Sequence, residues 1–524
     1  METTSAPWVP DLGNGRYRNP VLYADYSDPD VIRVGDDYYM TASSFNHMPG
    51  LPVLHSRDLV NWTLVNHALE RLDLPGYDQV QHGKGVWAPS LRHHDGKFWI
   101  FFGTPDEGIF MTQAEDPLGA WSAPHLVKAA KGWIDPCPFW DEDGQAYLVH
   151  AFAKSRSGIK HILHVCAMSP DGRELLDEGR LIIDGTADHP TLEGPKMYKR
   201  DGWYYILAPA GGVATGWQAA FRSKSIYGPY EDQIVLEQGN TGVNGPHQGG
   251  WVETPKGESW FLHFQDKGAY GRIIHLQPVE WVDGWPVMGE APAGSLTGQP
   301  VSGWHKPESS GATPPAAPQT SDRFTEGRPG LQWQWQANPQ AGWIAAGYPG
   351  PGLRLRSAPL GTERLYDAPQ LLMQKFAAPA FTAQVQVKPQ FGALSERAGL
   401  VVLGHKAVHL SLFTAEDGGL CLGRFESLPA DSAENAEYAF TDGLVKLAAE
   451  AVHLRLTVSD EAVCQLAYSE DGDAFTEMGT SFRLQEGAGA WVGAKFGIYA
   501  AACGAGALAE EHGYAHFEEF EVCL

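Results

Sequence analysis

Three acidic side chains in the first half of the chain keep comparable places in a repeating pattern. Asp135 stands nine residues before Gly144, and Glu193 stands nine before Gly202, each ahead of an aromatic strand. Trp87 and Gln248 keep the same interval to Gly96 and Gly257, while Asp28 falls eight residues before Asp36. Acids scattered among turns would not hold such a register. Asp28-Pro29 and Asp135-Pro136 could each open a turn and nothing more, since Asp and Pro are both turn formers. The interval shared with Glu193 favours a common site. The chemistry open to converging carboxyls is acetal hydrolysis, in which one carboxylic acid protonates the leaving oxygen and one carboxylate activates water. Asp28, held rigidly by Pro29, is the candidate base. Glu193, with the longer side chain, is the candidate acid, and a neighbouring Asp135 would help it keep its proton by like-charge repulsion. Inversion requires the acid and base to stand about 6.5 to 9.5 Å apart, leaving room for the attacking water.

The elements that must position these residues are strands. GDDYYMTAS from Gly35, DGKFWIFFG from Asp95, DGQAYLVHA from Asp143, DGWYYILAP from Asp201 and KGESWFLHF from Lys256 each pair a polar turn with an aromatic strand. Self-similarity at a period of roughly 50 residues marks a propeller. Segments ending at Trp62, Trp121 and Glu231 supply outer strands. A propeller leaves a central channel lined by the heads of its innermost strands, which is where the register places the acids. Residues 1–304 therefore read as a five-bladed β-propeller. The Pro/Ser/Ala-rich stretch HKPESSGATPPAAPQTSD, residues 305–322, is a linker. Alternating runs such as FTAQVQVKP and HLRLTVSDEAVCQLAYS make residues 323–524 a β-sandwich of two antiparallel sheets. The class is all-β.

A length of 524 residues suits two domains. The net charge of −25 is spread along the chain, which argues against nucleic-acid and anionic-membrane partners. No stretch approaches the roughly 20 apolar residues of a membrane helix. The 18 tryptophans fill cores, and such a surplus also suits stacking on pyranose faces. The six cysteines are dispersed without a CxxC pair, so free thiols are expected in place of a zinc site or disulfide framework. METTSAPWVPDLGNG carries no apolar run of leader length, and a cytoplasmic location acting on short imported oligosaccharides is the expectation. Assembly into a homo-oligomer is left open.

The segments NPVLYADYSDPDVIRVGDDYYMTASSF, GVWAPSLRHHDGKFWIFF, WIDPCPFWDEDGQAYLV, LEGPKMYKRDGWYYILAPAGG and GRIIHLQPVEW together resemble a family 43 glycoside hydrolase of the β-xylosidase type. The likeness spans nearly all of residues 15–300, and DRFTEGRPGLQWQWQANP resembles the start of that family's concanavalin-A-like, jelly-roll sandwich. The resemblance implies that Asp28 is the base, Asp135 the pKa modulator and Glu193 the acid. It also implies a pocket-wall role for Trp87, a subsite aromatic in Phe45 and a sugar-hydroxyl contact from Arg272; core packing for the rings and a surface ion pair for Arg272 are the alternatives. A calcium ion on the propeller axis is expected, mostly water-ligated and touched by His247, which the resemblance favours, or Gln248, which the register and an oxygen ligand favour. The implied substrate is a xylo-oligosaccharide shortened by removal of terminal β-1,4-xylose, with an arabinose-containing substrate second. An α-L-arabinofuranosidase or arabinanase, or a non-catalytic carbohydrate-binding propeller, would share these features. The segment WVGAKFGIYA, including Phe496, is where the sandwich could reach the active-site mouth, although strand alternation favours Phe496 filling the sandwich core.

Overall fold

The computed structural model describes residues 6–309, 311, 313–345, 350–429, 443–487, 491–504, 507 and 512–524, and the backbone of 439–440. Five four-stranded antiparallel sheets follow one another along the first part of the chain. Blade one holds Asp30–Val34, Asp37–Thr41, Gly50–Ser56 and Thr63–Leu69. Blades two to five occupy residues 87–129, 133–184, 196–237 and 247–288. Their innermost strands are Trp87–His94, Trp133–Trp140, Lys196–Arg200 and His247–Glu253. Asp95-Gly96 and Asp201-Gly202 turn blades two and four, with φ of 49° and 70° in one and 51° and 72° in the other. Such paired left-handed residues match the twist of the flanking strands, and Asp-Gly adopts them at little cost.

The apolar core of this half lies between blades. Val31, Met40, Leu262, Phe264 and Ile274 fill the seam between blades one and five, and Leu91, Ile100, Leu51 and Val53 that between one and two. Blade five is complete in itself, so no strand is shared across the closing seam. Closure comes instead from the N-terminal segment: Leu22 bridges Ile274, and Arg16–Arg18 pairs with Gly303–His305.

The second half is two facing sheets. One includes Leu372–Lys375, Lys495–Cys503, Glu396–Leu403, Ala407–Thr414 and Leu420–Ser427; the other includes Tyr514–Cys523, Phe381–Gln390, Val452–Ser459 and Val463–Ser469. In Phe381–Gln390 the buried residues alternate as Phe381, Ala383, Val385 and Val387, the period-two burial of a strand with one face on a core. The sandwich docks on the propeller's loops. Met48 and Trp335 exchange backbone bonds of 3.0 and 2.6 Å, and Asn46 Nδ2 donates to the Gln336 carbonyl at 2.6 Å. Tyr270 of blade five enters the sandwich core, its hydroxyl donating to the Pro379 carbonyl at 2.7 Å. The cysteines are free thiols. No helix among the described residues is long and apolar enough to cross a membrane.

Candidate active site

At or near the head of each innermost strand stands a residue with positive φ: Asp28 (54°), Ala88 (39°), Asp135 (56°), Gly194 (58°) and Gln248 (32°). Four of these five precede proline, and in blades two, three and five the strand register slips at this point. These residues are the true equivalents at the channel. The interval of nine therefore misplaces Trp87 and Glu193, which each stand one residue before the pivot. The cause is turn length. Blades one, two and four close with two-residue turns, whereas the partners Trp140↔Ala146 and Glu253↔Ser259 leave five-residue turns in blades three and five. The three tight blades all keep an interval of eight, as Asp28 does.

Asp28 is buried and held from three sides. Its Oδ1 accepts from Arg272 Nη1 at 2.7 Å, and its Oδ2 accepts from Ser43 Oγ at 2.6 Å and Ser27 Oγ at 3.0 Å. Arg272 Nη1 also reaches Ser27 Oγ at 2.9 Å, and its guanidinium lies 4.6 Å from the Phe264 ring centre. Arg272 thus sits in a buried ion pair with the candidate base; a surface pairing does not describe it. Ser43, a loop serine that no motif marks, accepts from the Ala88 N–H at 2.7 Å while donating to Asp28. It links the base to the pivot of the next blade.

Asp135 Oδ2 accepts from the Gly194 N–H at 2.7 Å, which places it directly beside Glu193. Its pKa is raised far above the usual carboxylate range, by burial first, then by the charge of Glu193 and, more weakly, of Asp28. Of the three carboxyl side chains Glu193 is the accessible one, 30 % exposed against 9 % for Asp28. Its Oε1 lies 3.0 Å from His247 Nε2. His247 is thereby engaged with the candidate acid, and its Nδ1 and the Gln248 Nε2 are buried without a hydrogen-bond partner. Among the described residues no group of three or more His, Cys, Asp or Glu side chains could hold a metal. An ion held mostly by water would take a single protein contact here, from His247 or Gln248.

The rim is built by both domains. Phe45, buried at φ 53°, is clamped by reciprocal backbone bonds of 2.9 Å to Val86, beside Trp87. Trp87 is half-buried, donates from Nε1 to the Gly83 carbonyl at 2.9 Å and meets Trp491 of the sandwich edge-on, ring centres 5.6 Å apart. The Trp491 N–H is buried without a partner. The sandwich residue at the wall is therefore Trp491. Phe496 is fully buried in the sandwich core against Phe376, Phe381 and Phe520.

A propeller that buries one carboxylate against an arginine and places two more carboxyls on neighbouring blades has the parts an acid–base glycoside hydrolase requires. Residues 17–286 match Glycosyl hydrolases family 43, and residues 321–523 match the Beta xylosidase C-terminal Concanavalin A-like domain. The chain belongs to glycosyl hydrolase family 43. It is 50 % identical over 340 residues to a putative beta-xylosidase of Xylanibacter ruminicola, covering 65 % of this chain and 62 % of that protein. It is 31 % identical over 437 residues to a non-reducing end alpha-L-arabinofuranosidase of Bacteroides ovatus, covering 78 % and 77 %. The structure of a xylan beta-1,4-xylosidase from Bacillus halodurans superposes with a TM-score of 0.80 at 25 % identity, covering 97 % of this chain and 100 % of that one. The chain spans 62 % and 63 % of the lengths of the Xylanibacter relative and of a beta-xylosidase from Formosa agariphila.

Proposed function

We propose that the protein removes terminal β-1,4-xylosyl residues from xylo-oligosaccharides with inversion of the anomeric centre. The observation that carries this reading is the division of the carboxyls into two settings. Asp28, with Arg272, Ser27 and Ser43 on its oxygens, is equipped as the base; Glu193, the most exposed of the three carboxyls and beside Asp135, is equipped as the acid. Water attacks the anomeric carbon as Asp28 takes its proton, the glycosidic C–O bond breaks, and Glu193 protonates the departing oxygen. Asp28 then releases its proton to solvent water and Glu193 takes one back from solvent, with Asp135 beside it as modulator. The Trp491–Trp87 contact narrows the mouth, which supports exo action.

Proton NMR of the first-formed product tests the stereochemistry: α-xylose from a β-xyloside is expected, and β-xylose would refute inversion. α-L-Arabinofuranosidase activity is a second reading, supported by the name of the Bacteroides ovatus relative, whose match covers most of both chains. Parallel assays on aryl β-xyloside and aryl α-L-arabinofuranoside measure the balance. A mostly water-ligated calcium ion on the axis, touched by His247 or Gln248, is also proposed. Chelation should then lower the melting temperature, and an unchanged melting curve would remove the ion.

A further inference from the structure

Asp25 lies three residues before the base, is buried, and belongs to none of the groups considered above. Its Oδ1 accepts from the Arg272 backbone N–H at 3.0 Å, and its Oδ2 accepts from the Gly493 N–H of the sandwich at 2.8 Å. Lys495 Nζ stands 4.0 Å from the same Oδ2. One carboxylate therefore joins two segments that reach the site from different domains. Arg272 carries the guanidinium that holds Asp28, and Gly493 lies two residues after Trp491, which meets Trp87.

The fit around this carboxylate is tight. A Cβ on Gly493 would stand 2.9 Å from Gly271 Cα and N and 3.0 Å from Asp25 Cβ, and one on Gly271 would stand 2.4 Å from Asp25 Cγ. Two glycines and a small acid thus allow the domain backbones to touch beside the site. The Ala494 N–H donates to the Ala269 carbonyl at 2.7 Å and extends the junction.

We propose that Asp25 is a positioning residue for hydrolysis, setting the distance between the Trp491 wall and the Arg272–Asp28 pair. The inference rests on the reading of Asp28 as base. An amide at this position offers one acceptor to two backbone donors, so Asp25→Asn must release either Arg272 or Gly493. Misplacing reacting groups by about 1 Å costs on the order of 100-fold in rate.

The test measures kcat and KM on xylobiose, with melting temperature, for Asp25→Asn, Gly493→Ala and Asn338→Ala. Gly493→Ala leaves every charge in place, including the buried Lys495, and serves if Asp25→Asn does not fold. Asn338 makes two interdomain hydrogen bonds of its own with the Leu72 backbone, at 2.8 and 2.9 Å, and controls for weakened docking alone. Expected are a fall in kcat of roughly 10- to 100-fold and a raised KM in Asp25→Asn or Gly493→Ala, with both constants within about twofold of wild type in Asn338→Ala. Folded Asp25 and Gly493 variants with wild-type constants would overturn the coupling, as would losses in all three that simply follow melting temperature. Wild-type protein inactive on both xylobiose and aryl xyloside would instead overturn the glycosidase reading, and the coupling with it.

Discussion

Replacement of Glu193 by alanine separates an acid from a residue that merely shapes the channel. A positioned general acid contributes about 10²- to 10⁴-fold, which is about 2.7 to 5.4 kcal/mol at 1.36 kcal/mol per tenfold. The surroundings of Glu193 indicate that no neighbour can substitute. Asp135 is buried and committed to the Gly194 N–H, and His247 is almost wholly enclosed. The full loss should therefore appear wherever the leaving group needs a proton. Xylobiose, whose leaving group is a sugar alkoxide, should lose about 10²- to 10⁴-fold in kcat, while a dinitrophenyl β-xyloside should stay within about tenfold of wild type. His247 Nε2 loses its partner in this variant, a stability cost of about 1 to 3 kcal/mol. Relief of the like charge beside Asp135 offsets part of that cost. Melting curves must accompany the kinetics, so that rate is compared between folded proteins. Equal losses on the two substrates would refute the assignment of Glu193 as the acid.

Asp135→Asn should flatten the loss of stability between mildly acid and neutral pH. Asp135 holds its proton in the folded protein up to about pH 8 but loses it near 3.8 in the unfolded chain, so its contribution is fully present below the lower value and lost as pH rises to the upper one. Urea midpoints of wild type should accordingly fall more steeply than those of the variant across that window, and parallel curves would contradict this. Ser43→Ala leaves the Ala88 N–H and one Asp28 oxygen short of a partner. It should cost about 1 to 3 kcal/mol in stability and lower kcat with little change in KM, as steady-state kinetics and denaturation would show. Trp491→Ala should raise KM for xylobiose while leaving kcat nearly unchanged, because the ring packs edge-on against Trp87.

The repeat and the three acids were legible because blades reuse one local pattern, an inner strand, a polar turn and an aromatic strand. Counting back from the turn glycine failed in two blades because hairpin length varies. Proline, which follows the pivot in Asp28-Pro29, Ala88-Pro89, Asp135-Pro136 and Gly194-Pro195, was the steadier marker and stood in plain view. Ser43 was invisible, since a serine in a loop bears no sign of the two partners that folding brings to it. Trp491 and Asp25 were hidden for another reason. Their contacts join residues of different domains, and no local period encodes a meeting of that kind. Phe496 fills the sandwich core, as the alternation of its strand suggested, and Lys495–Cys503 is buried along its whole length.

The ring is sealed without a shared strand, and the base and its arginine lie on opposite sides of that seal. Asp28 and Arg272 are separated by 244 positions along the chain, yet meet at 2.7 Å. A nascent polypeptide leaving the ribosome therefore carries an incomplete base until the last blade has been made and has docked on the first. Closure of the ring and completion of the base are one event, so a chain stalled at four blades lacks the arginine that completes the site.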